Sequence, residues 1–394
     1  MNIILITEHF KPLMGGSITY IENVAKSLAL RNNVVLIFPS KSETKFVEYK
    51  VICIGIGIEL INSSFTRKSF YDFVNKVNIR LELLTKDYNI EIVHVLTGWI
   101  IHEKLNLDLL RRKGIICLFT VHNVPPRESS KAWIGEDPFL FLFDRIRMFL
   151  YMIYSWYRLF SNEFDQYLVP SEDVNISLKK IRPNINVQIL AHGINNNILN
   201  YIHNSSQENE KVSILTVGGF VPHKNQLLIA KVSNQLKQIG FNFKWTLVGP
   251  IRNTRYYEAL KKYIFAHDLS SFIDLKSQLS ESDLYDLYNN ADMYVQPSKE
   301  EGFCFAALDA LAFSLPIIGT DVGEIKKFIE ISSGKLVKMN IKSISNAILS
   351  IQNKKLMRND GVLSIIDNNY NWDVIIKRLE SIYINLIVEQ RKGI

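Results

Sequence analysis

Short β-branched apolar runs alternate along this chain with longer stretches in which apolar residues recur every three or four positions. "IILIT" leads into an amphipathic stretch from Ile18 to Leu30 and then into "VVLIF"; "IVHVL", "ICLFTV" and "QYLVPS" continue the series. Runs this apolar suit strands covered on both faces, so the rhythm predicts βαβ units, a parallel sheet between two layers of helix. A polar, unpatterned stretch, "NYIHNSSQENEK" (Asn200 to Lys211), interrupts it. The rhythm then restarts with "VSILTVGG", a helix from Gln226 to Ile239, "KWTLVGP", "MYVQPS" and "LPIIGT". The expected organisation is therefore α/β, with two doubly wound, Rossmann-like domains, residues 1–204 and 205–394, facing each other across a deep cleft. Apolar residues at Val374, Ile375, Leu379, Ile382 and Leu386 predict a final helix over about 372–390. Periodicity leaves open whether that helix stays with the second domain or crosses back to the first.

Composition agrees with this picture. The 394 residues are 47% hydrophobic and 22% charged, which suits a globular chain of two cores of roughly 200 residues each and excludes a disordered or fibrous one. Cys53, Cys117 and Cys304 lie far apart, without the spacing of a disulfide framework or a zinc site. "MNIILITEHF" has no basic n-region and reaches Glu8 after six residues of strand-like sequence, so it reads as a first strand rather than a signal peptide, and the chain is expected in the cytoplasm. The most hydrophobic region, Phe139 to Phe160, is broken by Asp144, Arg145, Arg147 and Arg158, too many charges for a membrane span. Its polar residues fall at spacings of three and four, leaving two readings: a helix buried in the first domain, or one lying in a membrane interface. A net charge of +7 favours an anionic partner, whether nucleotide, phospholipid or nucleic acid; the dispersed charge and the lack of a recognition module place nucleic acid last.

Ligands of doubly wound sheets sit beyond the carboxyl ends of the strands, which directs attention to four turns. Gly15 and Gly16 follow the first strand and precede a helix, where bare backbone approaches a phosphate or sugar closely; the plainer reading is a simple turn. G-x-G-x-x-G and Walker patterns are absent, which counts against NAD and against a P-loop. Gly218 and Gly219 open "GGFVPHKN", whose Lys224 suits a diphosphate, or is a solvated loop lysine. "LVGP" adds Gly249 and Pro250. In "PSKEEGFCFAALDALAFSLPIIGTDVGE", Glu301 lies in the loop after a strand, and a helix starting near Phe305 points its positive end at the same place. Asp309 follows eight residues after Glu301. Two carboxylates so spaced reach the hydroxyl-bearing ends of one extended ligand with phosphates between them, unless they are incidental acids on a capped surface helix.

That last stretch resembles the E-x7-E signature of retaining glycosyltransferases of family 4. The resemblance extends in order through "PLMGGSITYIENVAKSLA", "TVHN", "FDQYLVPSEDV", "ILAHGIN", "VGGFVPHKN", "LVGP", "LYNNADMYVQPS", "GTDVGE" and "NWDVIIKRLESIY". It implies the GT-B fold and transfer of a sugar from a UDP- or GDP-linked donor to an acceptor hydroxyl, with retention and with neither metal nor further cofactor. It also implies synthesis of a cell-surface polysaccharide or glycolipid, with a carbohydrate or lipid-linked acceptor; the interfacial reading of Phe139 to Phe160 would add peripheral membrane contact, and the buried reading would not. By the same resemblance Glu301 contacts the sugar hydroxyls and Asp309 the ribose. Backbone amides from Phe303 through Cys304 to Phe305 hold sugar and phosphate, Lys224 binds the diphosphate near Gly16, and His122 lies near the transferred sugar. The chain departs from the family's usual Glu, Gly, Arg and Gly at Asp309, Cys304, Gly219 and Glu324. The absent arginine at 219 keeps a non-catalytic sugar-nucleotide-binding partner subunit in view, and the architecture keeps an epimerase.

Overall fold

A computed structural model describes residues 1–8, 16–58, 67–124, 153, 160–194, 196–201, 211–352 and 360–392, and in it the apolar runs are strands. Those of the first sheet are β1 (Asn2–Thr7), β2 (Asn33–Phe38), β3 (Glu43–Glu48), β4 (Val51–Ile56), β5 (Ile92–Thr97), β6 (Ile116–Thr120), β7 (Gln166–Val169) and β8 (Val187–Ile189). They pair in the order β3-β4-β2-β1-β5-β6-β7-β8, all parallel except β3 on β4. All six residues of β5 are buried, as a strand covered on both faces requires. Helices on this sheet include α1 (Gly16–Leu28), α2 (Arg67–Asp87), the short α3 (Trp99–Lys104) and α4 (Leu107–Arg112), and α5 (Glu172–Ile181). Phe73, Val77, Phe119 and Leu178 meet in the core.

After α6 (Asn196–Tyr201) comes a second sheet. It is built from β9 (Val212–Val217), β10 (Phe243–Val248), β11 (Ile273–Lys276), β12 (Met293–Gln296), β13 (Ile317–Gly319) and β14 (Lys335–Leu336). Every pairing is parallel, in the order β11-β10-β9-β12-β13-β14. The chain moves from β9 to β10 to β11 in one direction and returns to the other side of β9 with β12, so the loops after β9 and β12 flank the topological switch point, where such sheets bind ligands. The helices are α7 (Gln226–Gln238), α8 (Thr254–Ala266), α9 (Glu281–Asn289), α10 (Phe305–Ala312), α11 (Ile325–Ser332), α12 (Ile341–Gln352) and α13 (Asp360–Tyr370). Trp245, Phe243, Ile229 and Val295 lie at the centre of this core.

The chain forms two compact units, whose described residues fall within Met1–Pro125, Tyr151–Gly193 and Tyr370–Ile394 for the first, and within 194–369 for the second. The change of unit comes between Gly193 and Ile194, somewhat ahead of the expected position near 205. The last helix, α14 (Trp372–Lys392), belongs to the first unit and packs on α1. It is fastened there by Glu380, which accepts from Arg31 at 2.8 Å and from Asn32 at 2.7 Å, and by Tyr383, whose hydroxyl lies 2.6 Å from His94 Nδ1. Gly193 makes this possible, because a Cβ there would stand 2.5 Å from the Trp372 ring. Among the described residues no helix is long and apolar enough to cross a membrane. The stretch Phe139 to Phe160 lies outside the described residues except for its positions 153 and 160.

Candidate functional site

Two loops of the second unit build the site. β9 ends at Val217 and delivers Gly218 and Gly219; a 3-10 turn, Pro222–Lys224, then raises Lys224, and Asn225 takes the left-handed conformation (φ 61) to start α7. The loop after β12 carries Glu301. Asn225 Nδ2 donates to the Pro297 carbonyl at 3.1 Å, and the Lys299 amide to the His223 carbonyl at 2.8 Å, so the two loops are stitched together. Lys224 Nζ thereby meets both oxygens of Glu301, at 2.6 and 2.8 Å. Bringing together two sequence-predicted residues 77 positions apart is the central fact of the site.

The Glu301 carboxylate is held from below. Tyr294, Gln296 and Ser298 fall at every second position of β12 and its extension, and so on one face. Tyr294 donates to Gln296 Oε1 at 2.6 Å, Gln296 Nε2 donates to Glu301 Oε1 at 3.2 Å, and the Ser298 hydroxyl donates to the same oxygen at 2.7 Å. Every donor points toward the acid. Burial pushes the Lys224 ammonium toward neutrality, but the Glu301 carboxylate and then Cys304 outweigh it, and its pKa lies above the ordinary value. His223, on the same turn, is driven down to about 4 by burial and by the Lys224 charge.

Sequence reasoning did not single out Tyr294, Gln296, Ser298 or His223. The signal for the first three was present: polar groups at period two in "MYVQPS", a strand otherwise apolar enough to be buried.

The remaining predicted residues of this unit surround the pair. Gly218 passes beneath Lys224, whose Cδ would be 3.3 Å from a Cβ at that position. Gly249 has φ 157, and a Cβ there would lie 2.2 Å from the Gly218 carbonyl oxygen, so this close crossing of two turns admits only glycine. Pro250 accepts from the Phe220 amide at 2.9 Å and so supports the Gly219 turn. Phe303 is buried, with its ring against Phe305 and Phe328. Cys304, at the start of α10, has φ 77, a region unfavourable to any residue with a side chain, and this accounts for the glycine usual at that position in the resembling family. Burial raises its thiol pKa, so it is no ready nucleophile. Asp309 lies on α10 about one turn beyond its start, its carboxyl pushed up to about 7 by burial and then by Glu281.

Gly16 and His122 belong to the first unit, and Gly15 lies outside the described residues. Gly16 opens α1. His122 Nε2 is 2.8 Å from the Leu96 carbonyl, an acceptor only, so this nitrogen carries a proton. Nδ1 then accepts from His192 Nε2 at 3.1 Å, and both ring nitrogens are engaged. The ring is therefore held on both sides.

Comparisons with known proteins follow this division of the chain. "Glycosyltransferase Family 4" matches residues 14–197 and "Glycosyl transferases group 1" matches residues 200–362, together most of the chain. The chain belongs to the family 4 glycosyltransferases. Alpha-monoglucosyldiacylglycerol synthase of Acholeplasma laidlawii is 23% identical over 100% of this chain and 99% of its own length. An uncharacterized glycosyltransferase of Methanocaldococcus jannaschii is 29% identical over 43% of this chain, and the match spans 45% of that protein. Among solved structures, sucrose-phosphate synthase of Thermosynechococcus elongatus superposes with a TM-score of 0.77 at 16% identity, covering 99% of this chain and 100% of that one. The fold of this family 4 glycosyltransferase is accordingly GT-B, two Rossmann-like α/β domains with parallel sheets.

Proposed function

We propose that the protein transfers a sugar, with retention at the anomeric carbon, from a UDP- or GDP-linked donor to an acceptor hydroxyl in the synthesis of a cell-surface polysaccharide or glycolipid. The observation that carries this reading is the Lys224–Glu301 pair at the switch point of the second sheet, beside the first turn of α10. The barrier in such a reaction is departure of a nucleoside diphosphate from a carbon turning oxocarbenium-like, so charge developing on the leaving phosphate has to be met by preorganised groups. Lys224 and the positive end of α10 do this, with backbone amides from Phe303 to Phe305 on sugar and phosphate. Glu301, fixed by Ser298 and Gln296, accepts from sugar hydroxyls, and Asp309 takes the ribose. The reading gives charge neutralisation to these groups and not to a metal ion, and the donor phosphate itself receives the acceptor's proton.

A relative named as an alpha-monoglucosyldiacylglycerol synthase, aligned along the whole chain, supports a lipid acceptor; with such an acceptor the protein works peripherally on the inner face of the plasma membrane. His122 serves through its backbone carbonyl, since its ring is engaged with Leu96 and His192.

A thermal-shift screen across uridine, guanosine and adenosine sugar nucleotides tests the donor assignment. The matching donor at 100 times its Kd should stabilise the protein by about 2.7 kcal/mol. The product formed with a glycolipid or polysaccharide acceptor is expected to have the donor's anomeric configuration by NMR. A melting point indifferent to every sugar nucleotide, or an inverted product, would overturn the reading.

A further inference from the structure

Gln226, the first residue of α7, is only 1% exposed, and its side chain is turned back on the glycine turn that precedes it. Nε2 donates to the Gly219 carbonyl at 2.9 Å and to the Gly218 carbonyl at 3.3 Å, one hydrogen to each. Two carbonyl acceptors fix which end of the amide faces the turn, since neither could donate to Oε1. Oε1 is left on the other side, buried and without a hydrogen-bond partner. An unpaired buried amide oxygen is costly, and an apolar side chain of the same length would avoid that cost. The gain at the two carbonyls is offset by the loss at Oε1, so stability is a weak reason for a glutamine here. Its effect on the turn is the stronger one.

That effect follows from the planarity of the peptide. In a trans peptide the C=O and the following N–H point in opposite directions, so drawing the Gly218 carbonyl toward Gln226 turns the Gly219 N–H away from it. The neighbouring amides are already engaged: Gly218 N–H donates to the Val248 carbonyl at 2.7 Å, and Phe220 N–H to the Pro250 carbonyl at 2.9 Å. Gly219 N–H, between them, has no hydrogen-bond partner among the described residues. Gly249 accommodates this setting of the turn, because a Cβ there would stand 2.2 Å from the Gly218 carbonyl oxygen and 2.9 Å from the Gly219 nitrogen. Lys224 reaches over the same turn, its Cδ 3.3 Å from where a Cβ on Gly218 would stand. One backbone donor is thus left open at the turn that Lys224 overhangs.

We infer that Gln226 is a positioning residue of this site: by holding the Gly218 and Gly219 carbonyls it keeps their negative ends off the donor's diphosphate and presents the Gly219 N–H to a phosphate oxygen. Gln226 touches no substrate itself and acts through the backbone of the two glycines. The inference rests on the donor reading proposed above. Glycines leave the turn free to take several settings, and the glutamine selects one of them.

The test is isothermal titration calorimetry of the full chain with inorganic pyrophosphate, UDP, GDP, uridine and guanosine at several pH values, alongside a sugar-transfer assay. The proteins are the wild type, Gln226→Leu, Gln226→Glu, and Ile229→Val, each with its melting point recorded. Ile229 is fully buried on the same helix, so its variant loosens α7 by a small cavity without touching the turn. Gln226→Leu is expected to weaken pyrophosphate and nucleoside diphosphate binding at least tenfold while leaving nucleoside binding unchanged, and Ile229→Val should bind as wild type does. Gln226→Glu should recover part of the loss where its carboxyl is protonated and donates one hydrogen bond, and should lose it again as pH rises and the carboxylate repels both carbonyls. A glutamine that merely packed would show no such recovery, and this arm decides the matter alone should Gln226→Leu fail to fold. Equal affinities for wild type and Gln226→Leu, losses matched by Ile229→Val or by the nucleosides, or no recovery in Gln226→Glu at any pH would overturn the inference while leaving the donor reading to stand. Gln226-dependent pyrophosphate binding without transfer from any sugar nucleotide would support the positioning role and sink the donor reading. Failure of the wild type to bind pyrophosphate or either nucleoside diphosphate would sink both.

Discussion

Each unit buries a polar cluster behind its sheet, and the two differ in charge. In the first unit His94 is fully buried between Tyr383 and Thr120, at 2.6 and 2.8 Å, the Tyr20 hydroxyl reaches Thr120 at 3.3 Å, and His122 pairs with His192 at 3.1 Å. Burial holds His94 down to about 3 and His192 well below its ordinary value, so these rings are neutral. In the second unit the cluster ends in an ion pair, and its donors converge on a carboxylate that is not fully covered. The first unit's cluster joins elements distant in sequence, β5, β6, α1 and α14, through hydrogen bonds among Tyr20, His94, Thr120 and Tyr383. The charged cluster keeps its opposed groups beside bare glycine backbone, and the cost of taking both charges out of water offsets much of their attraction. The first cluster ties distant elements together, and the second ends in an ion pair at the switch point of its sheet.

This contrast breaks most sharply at the ion pair. Lys224→Ala leaves Glu301 buried with no cation, which is expected to cost about 3–5 kcal/mol of stability in denaturant unfolding. Lys224→Ala and Glu301→Ala should also each lower turnover at least tenfold, about 1.4 kcal/mol of barrier. Near-normal turnover in both would refute the site.

Acid provides the second test. A histidine whose folded pKa is depressed contributes stability that is complete above the ordinary value of 6.5 and is lost as pH falls toward the folded value, at up to about 1.4 kcal/mol per pH unit. In the first unit His94 and His192 act together in this direction. In the second, His223 acts likewise toward about 4, but Asp309 opposes it. A carboxyl raised from 3.8 to about 7 contributes stability that is complete below the lower value and is lost as pH rises through the upper one. Native-state hydrogen exchange, corrected for intrinsic rates, should therefore show β5 and β6 losing protection between about pH 6.5 and 4.5 while β9 and β12 change little. Equal losses in the two sheets would erase the distinction.

The smallest effect is expected at Cys304. Replacing it by glycine relieves a left-handed φ of 77, and Cys304→Gly should stabilise the second unit by about 1 kcal/mol while leaving the first unit's exchange untouched. No gain, or a loss, would mean that the buried thiol contributes packing worth at least the strain.

Much of the fold was legible because its signals are local. Two-face burial of parallel strands writes itself as "IILIT" or "IVHVL", and one-sided burial writes helical spacing into Gln226 to Gln238 and Trp372 to Lys392. Lys224 and Glu301 were found because each stands at a fixed offset from a glycine turn or a strand end. Other features left weaker marks or none. β3 is exposed along nearly its whole length and pairs antiparallel, so it lacks the apolar run that marked its neighbours. Gln226 resembles any polar residue at the start of a helix until its hydrogen bonds to the Gly218 and Gly219 carbonyls are seen.

The order of apolar and polar residues by itself determined that this is an α/β chain in two parts, and where the glycine turns and acids fall, because burial and backbone conformation act over a few neighbouring residues. Only the tertiary structure decided that α14 returns to the first unit through Tyr383 and His94, 289 residues apart, and that Glu301 neutralises Lys224. Such pairings depend on how sheets and loops close in space. A side chain carries its chemistry in its name, but its partner is chosen by packing among residues far along the chain.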